Sequence, residues 1–105
     1  MEVIYYNEKV KGFIRSLDAI SASRTRKTIG LLEEYGNLIG MPDSKSLGGG
    51  LFELRTLGKK KVRILYIFHN GKVCIIHGFI KKAWKIDVKD IKYARRVQKE
   101  INKLA

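Results

Sequence analysis

The stretch KVRILYIFHNGKVCIIHGF, residues 61–79, decides the fold because two apolar runs flank an Asn-Gly pair. Asn70 and Gly71 favour a two-residue type I′ turn, since both central positions of that turn require positive φ and these residue types tolerate it. The runs at 61–68 and 72–79 are rich in β-branched and aromatic residues, as strands are. The sequence therefore predicts an antiparallel hairpin in the second half of the chain.

The two-residue turn also fixes which residues of the hairpin face each other. Partner positions sum to 141, so Ile64 is expected to face His77. Arg63 is expected to face Gly78, on the other side of the sheet from Ile64, because side chains alternate along a strand. Gly78 has no side chain, so we expect open space above the sheet beside Arg63.

Patterns outside the hairpin predict the remaining helices and strands. Apolar residues three and four positions apart indicate helices, whereas short β-branched and aromatic runs indicate strands. The predicted elements are, in chain order, a strand over 2–6, a helix capped by Asn7, a helix from Ser21 or Ser23, a loop over 41–50, strands over 51–56, 61–68 and 72–79, and a helix over 87–104 capped by Asp87.

This order, β-α-α-β-β-β-α, predicts a single α+β domain over residues 1–105. We expect a twisted antiparallel sheet, an N-terminal helical hairpin and a C-terminal helix, with the helices on one side of the sheet. The final helix carries Asp90 three residues after Asp87, a spacing that resembles a capping box.

The excess of positive charge is the strongest signal in the composition. The 105 residues include 22 Lys and Arg against 10 Asp and Glu, which gives a formal net charge of +12. Such an excess favours anionic partners, with nucleic acid first, an acidic protein second and a membrane surface last. Solubility alone is the simpler explanation of this charge.

Several classes of protein are disfavoured by the sequence. No apolar run approaches the roughly 20 residues that span a bilayer, and the N-terminus lacks the pattern of a signal peptide. Cys74 is the only cysteine, so no internal disulfide can form and a cytoplasmic location is expected. The two histidines and Cys74 do not form a zinc motif, and LGGGL at 47–51 lacks the Lys-Ser/Thr of a phosphate loop. We therefore expect neither a metal nor a cofactor.

Charged side chains are predicted to converge at one end of the sheet. Glu53 and Arg55 alternate with apolar residues in LFELRT, so they share a face on which Arg55 can join Arg63. Two groups of lysines border this face, namely Lys59, Lys60 and Lys61 before the hairpin and Lys81, Lys82 and Lys85 after it. An exposed ion pair and an ordinary polar strand end are the alternative explanations. His77 is expected to be a core histidine, with a proton shuttle as the alternative. Trp84 is expected to be a packing anchor, with a base-stacking platform as the alternative.

Four segments in the second half of the chain carry a family likeness. They are LGGGLFELR at 47–55, KVRILYIF at 61–68, HGFIKKAWK at 77–85, and an Ile-x-x-Ala pattern in the last helix. In this order and spacing they resemble the RelE/HigB group of toxins in the RelE/ParE superfamily, especially its phage-derived HigB-like branch. The motifs cover residues 47–97, whereas residues 1–46 match by element order only.

This resemblance implies the toxin of a type II toxin–antitoxin pair. Such toxins resemble ribosome-dependent endoribonucleases that cut messenger RNA, in which the ribose 2′-OH attacks the adjacent phosphate and no metal ion is needed. By motif, Arg63 corresponds to the arginine that contacts the scissile phosphate, and Arg55 to the arginine of the Leu-Arg pair. Lys81 or Lys82 corresponds to the basic residue after the last strand. The lysines assigned to the RNA backbone are Lys59, Lys60, Lys61 and Lys85.

The resemblance leaves the general base open between Glu53 and His77. Glu53 stands where better-known members carry lysine, and no aromatic residue follows Lys82 at the matching distance. The implied partners are a cognate antitoxin of the helix-turn-helix, HigA-like kind, the ribosome and messenger RNA, with no membrane. The alternative functions are a ParE-like toxin that inhibits DNA gyrase and a non-catalytic nucleic-acid-binding domain of phage origin.

Overall fold

A computed structural model describes residues 1–40, 42–82, 84 and 86–104. It confirms the α+β class and contains the predicted helices and strands in their predicted order, with one further strand. The elements are β1 (Val3–Tyr5), α1 (Glu8–Ser16), α2 (Ala19–Tyr35), a 3-10 turn (Gly36–Leu38), β2 (Ser44–Gly48), β3 (Leu51–Arg55), β4 (Val62–His69), β5 (Lys72–Ile80) and α3 (Val88–Asn102). None of the described helices is both long and apolar enough to cross a bilayer.

The five strands form one sheet in the order β1-β5-β4-β3-β2. β1 pairs with β5 in parallel, and the other pairs are antiparallel. β2 lies in the segment that was predicted to be a loop, so that prediction was wrong. Its sequence, SKSLG, has little strand propensity, and its pairing with β3 makes it an edge strand.

Polar side chains start all three helices. Asn7 accepts a hydrogen bond from the backbone N–H of Val10 at 3.1 Å, and Asp87 caps α3 by accepting from Lys89 at 3.0 Å, as predicted. α2 begins at Ala19, before the predicted serines, because Asp18 provides its cap.

The turn of the central hairpin has the predicted conformation. Asn70 and Gly71 have φ values of 51° and 73°, as a type I′ turn requires. The register with partner positions summing to 141 holds from the His69–Lys72 pair to the Tyr66–Ile75 pair.

Beyond these pairs a β-bulge shifts the register by one residue. Leu65 faces His77, which leaves Ile76 as the extra residue of β5. The bulge moves His77 to the face of the sheet that carries Leu65. The expected pairs of Ile64 with His77 and of Arg63 with Gly78 were therefore wrong. A bulge depends on packing around the strand, which the turn sequence does not specify.

Gly78 instead faces Ile64, and Arg63 faces Phe79. A Cβ atom at Gly78 would collide with the ring of Phe13. The missing side chain therefore makes room for a residue of α1 and not for Arg63.

The sheet is covered by helices on both faces, in contrast to the expected one-sided arrangement. α1 and α2 pack on the face of Ile64 and Tyr66, and α3 packs on the face of Leu65 and Ile67. β4 is apolar at both alternating positions, so each of its faces needs cover. α3 contributes Ala94, Val97 and Ile101 to the core on the Leu65 face of the sheet.

Candidate functional site

Two arginines lie directly opposite each other on neighbouring strands, on the face that α3 partly covers. Arg55 of β3 pairs with Arg63 of β4. Like charges in this position repel. Glu53 lies on the same face, two residues before Arg55, and its Oε1 accepts a hydrogen bond from Arg55 Nε at 2.8 Å and lies 3.9 Å from Arg63 Nε. A single carboxylate therefore holds the two guanidinium groups together.

This group of three charged residues is partly withdrawn from solvent. The side chain of Glu53 is 2% exposed, that of Arg63 is 11% exposed and that of Arg55 is 26% exposed. The pKa of Arg63 is lowered, mainly by burial and also by the charge of Arg55, although the charge of Glu53 acts in the opposite direction. An arginine remains protonated at neutral pH despite such a shift. The group therefore carries two positive charges against one negative charge.

The hydrogen bonding of this group is incomplete. Within the described part of the chain, Glu53 Oε2 and Arg63 Nε are buried without a hydrogen-bond partner. Arg63 donates instead from a terminal nitrogen to the carbonyl of Val62 at 3.1 Å. An unsatisfied buried polar atom costs about 1–3 kcal/mol, so this end of the sheet keeps its charges at an energetic cost.

A cleft of about 410 Å³ opens beside these charges. Its polar lining comes from β2, β3, the residue after β5 and α3, and consists of Lys45, Glu53, Arg55, Lys81 and Arg95. Lys45 faces Glu53 directly across the β2–β3 pair. Four cationic side chains and one buried carboxylate therefore surround the cleft, which favours an anionic ligand.

The two groups of lysines border a second depression, of about 580 Å³, next to this cleft. Its lining includes Lys59, Lys60, Lys61, Lys81 and Lys82. The backbone N–H of Lys81 donates to the carbonyl of Lys61 at 2.8 Å, which ties the two groups together. Lys81 lines both depressions, so the cationic surface is continuous.

Four predicted site residues are thus brought together. Arg55 and Lys81 share the cleft, Arg63 lies beside Arg55, and Lys82 lines the adjacent depression. Lys85 lies outside the described residues. Trp84 was expected to be a packing anchor, but it is 96% exposed and lines both depressions, so that prediction was wrong.

His77 is separated from the cleft. Its Nε2 forms a 2.6 Å hydrogen bond with Asp90 Oδ1, and its ring packs between Phe79 and Tyr93 beneath α3. Asp90 therefore binds a histidine of β5 instead of completing a capping box. His77 is therefore a hydrogen-bonded histidine as expected, but it is partly buried at the edge of the core, with its side chain 17% exposed.

Lys45 and Arg95 line the cleft but were not predicted from the sequence. Lys45 was missed because its segment was assigned to a loop. The signal was present, since a strand that returns through Gly48–Gly50 would place Lys45 opposite Glu53. Arg95 donates to the carbonyls of Leu47 and Gly48 at 2.9 and 2.8 Å, a contact that no local pattern predicts.

The comparisons with known proteins give one family. The family model described as "Phage derived protein Gp49-like (DUF891)" matches residues 12–99. The match contains every residue that lines the cleft. A search of the curated proteins finds no match. Among residues 1–40, 42–82, 84 and 86–104, no group of three or more His, Cys, Asp or Glu side chains is placed to hold a metal ion.

Proposed function

This chain belongs to the Gp49-like family of phage-derived proteins, within the RelE/HigB-like toxin group, and on that premise we propose that it is a ribosome-dependent endoribonuclease. It would act as the toxin of a type II toxin–antitoxin pair, and its family implies an antitoxin partner. Its substrate would be messenger RNA positioned on the ribosome.

The observation that carries this proposal is the pair of arginines held by Glu53 beside the cleft. Guanidinium groups bind phosphate oxygens through two parallel hydrogen bonds, which fixes the geometry as well as the charge. Arg55 and Arg63 lie on strands, and rigid elements hold such groups more accurately than loops do. Lys81 adds a third positive charge to the same surface.

The proposed reaction uses the substrate's own nucleophile. The ribose 2′-OH gives its proton to a base, and its oxygen forms a bond to the adjacent phosphorus. The bond from phosphorus to the 5′-oxygen of the next nucleotide breaks, and that oxygen takes up a proton. The products carry a 2′,3′-cyclic phosphate and a 5′-hydroxyl. Arg55 and Arg63 would stabilise the extra charge of the phosphorane, and Lys81 or Lys82 the leaving oxygen.

The geometry favours a positioning role for Glu53 over a role as general base. Its carboxylate is buried and already engaged by Arg55 and Arg63. Glu53→Gln keeps an oxygen that can accept from Arg55, so a positioning role predicts folded protein with reduced but measurable cleavage. A general base at Glu53 predicts that Gln abolishes cleavage and removes the acidic limb of its pH profile. His77→Asn tests the other candidate in the same assay.

Induction in a bacterial host separates this proposal from its alternatives. The wild-type protein is expected to arrest growth and to produce cleaved messages, and Arg63→Lys is expected to relieve both effects while the protein stays folded. Arg96→Lys on the exposed side of α3 is the matched control and should behave as wild type. Growth arrest with inhibited supercoiling and intact messages would instead indicate a gyrase inhibitor. Harmless expression of folded protein would indicate a non-catalytic nucleic-acid-binding domain.

A further inference from the structure

A groove runs along the outer side of α2, on the face of the sheet opposite to the arginines. Four residues of α2 recur at spacings of four, three and four positions and form one stripe, which consists of Ile20, Arg24, Lys27 and Leu31. The residues that α2 buries against the sheet, such as Ala22 and Ile29, lie on the other side of the helix. The stripe is therefore not used in the core.

The segment between β3 and β4 forms the second wall of this groove. Leu57 is 77% exposed there, and Ile20 across the groove is 66% exposed. Two depressions, of about 400 and 230 Å³, meet at Arg24. Two large aliphatic side chains are thus presented to solvent along one surface, whereas such exposure is more often scattered.

The groove is held open by contacts within the chain. Arg24 donates to the carbonyl of Leu57 at 3.3 Å, and Lys60 forms a 3.0 Å ion pair with Asp18. Gly58 has a φ of 145°, a conformation that favours glycine, and it lies against the end of the Arg24 side chain. The loop that carries Leu57 is therefore joined to α2 before any partner arrives.

The rim of the groove is basic. Its charged lining residues are Arg24, Lys27, Lys59 and Lys60 against Asp18 and Asp43, a net charge of 4 − 2 = +2. Among the described residues, no aromatic side chain lines the groove, so these residues provide no platform on which bases could stack. A second copy of the chain would bring a further +12 to the contact. An aliphatic floor with a basic rim fits an acidic amphipathic helix.

We propose that this groove binds an acidic amphipathic helix of a partner protein. The identity of that partner as the antitoxin rests on the proposed function. The stripe extends over eleven residue steps of α2, or about 16 Å, so a partner helix of about three turns would fill it. Apolar side chains of that helix would pack against Leu57 and Ile20, and its carboxylates would meet Arg24 and Lys27.

Such a helix would also affect the cationic surface across the loop. Lys59 and Lys60 line this groove and also the depression beside Lys81. Carboxylates placed on these lysines would compete with RNA phosphates for the same charges. A partner could therefore weaken RNA binding from the groove without covering Arg55 or Arg63.

The test is an NMR titration of the ¹⁵N-labelled protein with a synthetic peptide of about 14 residues, or four helical turns. The peptide carries Leu at positions i, i+4 and i+7 and Glu on its remaining faces. Chemical shift changes are expected along α2 and residues 57–60. Leu57→Glu should weaken binding about tenfold, since it removes a buried leucine contact and adds a repelling charge. Val88→Glu, at a residue that is 65% exposed on α3, is the matched control and should bind as wild type.

Three results would overturn the proposal. The first is no binding, and the second is a set of shift changes centred on Arg55, Arg63 and Lys81. The third is equal affinity of the Leu57→Glu and Val88→Glu proteins. An oligouridylate that produces the groove shifts and is weakened by Leu57→Glu would instead make this surface a nucleic-acid site. RNA cleavage by the same proteins is measured in a separate assay. A protein that cleaves RNA but does not bind the peptide contradicts only the proposed groove, and a protein that binds the peptide but does not cleave RNA contradicts only the proposed activity.

Discussion

Gly78 lies under the ring of Phe13 at the bulged end of β5, and its lack of a side chain allows α1 to pack close to the sheet. The nearest neighbours of a Cβ atom there would be the Phe13 ring and the Cδ1 atom of Ile64. Both belong to or border the core between the sheet and the N-terminal helices. Interiors are too tightly packed to absorb an added methyl group without displacement.

Gly78→Ala is therefore expected to lower the free energy of unfolding by about 1–3 kcal/mol, the usual cost of overpacking. Gly12→Ala is the matched control, since Gly12 lies in α1 with open space around its Cα. Removing a helix-interior glycine should raise stability by about 0.5–1 kcal/mol. Urea denaturation of both variants checks the two signs, and an unchanged or higher stability of Gly78→Ala would contradict the packing described.

At the residue scale, the sequence predicted what local chemistry controls. The caps at Asn7 and Asp87 and the turn at Asn70 and Gly71 depend on groups a few residues apart, and the structure confirms them. The role of Gly78 depends on Phe13, which is 65 positions away in the chain. The contact between Phe13 and Gly78 could therefore not be predicted from the geometry of the turn.

At the scale of elements, α3 is joined to the turn between β2 and β3 by two side chains. Arg95 donates to the carbonyls of Leu47 and Gly48, and Gln98 Nε2 donates to the carbonyl of Gly49 at 2.6 Å. The turn residues have positive φ, and a side chain at Gly49 would press on Arg95. The Gly48–Gly50 run is thus a docking point for the last helix.

We expect Arg95→Ala and Gln98→Ala each to lower the free energy of unfolding by about 1 kcal/mol, the net value of a typical hydrogen bond. The two residues also bond to each other at 3.2 Å, so the double variant should lose less than the sum of the single ones. Lys99→Ala, on the exposed side of the same helix, should be neutral. Strict additivity in a double-mutant cycle would show that the two side chains act independently.

The elements that the sequence misassigned are those fixed by pairing and packing rather than by their own residue propensities. β2 is a strand because β3 pairs with it. α3 packs on the face of the sheet opposite to α1 and α2, because β4 is apolar on both of its faces. The cationic cluster was easier to predict, since alternation along β3 and β4 places Arg55 and Arg63 on one face whatever covers it. Lys45 was not predicted to line the cleft because its position depends on β2, the strand that was predicted to be a loop.

At the scale of the whole molecule, the net charge of +12 is organised into distinct surfaces. One faces the cleft on the α3 side of the sheet, and the other lines the groove of α2. The lysines at 59–61 connect them. Under the two proposals, the same excess charge would bind RNA on one face and an acidic protein on the other.

This arrangement predicts that RNA binding weakens strongly with added salt and that particular lysines, those that contact the RNA, account for this dependence. Replacing Lys59 and Lys61 with Ala should reduce the slope of log K against log salt by about 1.4, since each phosphate contact on a single strand contributes about 0.7. Lys99→Ala with Lys103→Ala removes the same charge from α3 and should leave the slope nearly unchanged. Equal slopes for the two double variants would mean that net charge alone governs binding. Fluorescence anisotropy with a labelled oligouridylate measures both.

The most direct measurement is the cleavage of a defined message on purified ribosomes, with analysis of the new ends. We expect cuts that require the ribosome and leave a 2′,3′-cyclic phosphate. Arg63→Lys should slow cleavage about a hundredfold, the usual cost of losing one transition-state donor, whereas Arg96→Lys should match wild type. An intact message with folded wild-type protein, or equal rates for Arg63→Lys and Arg96→Lys, would contradict the proposed activity.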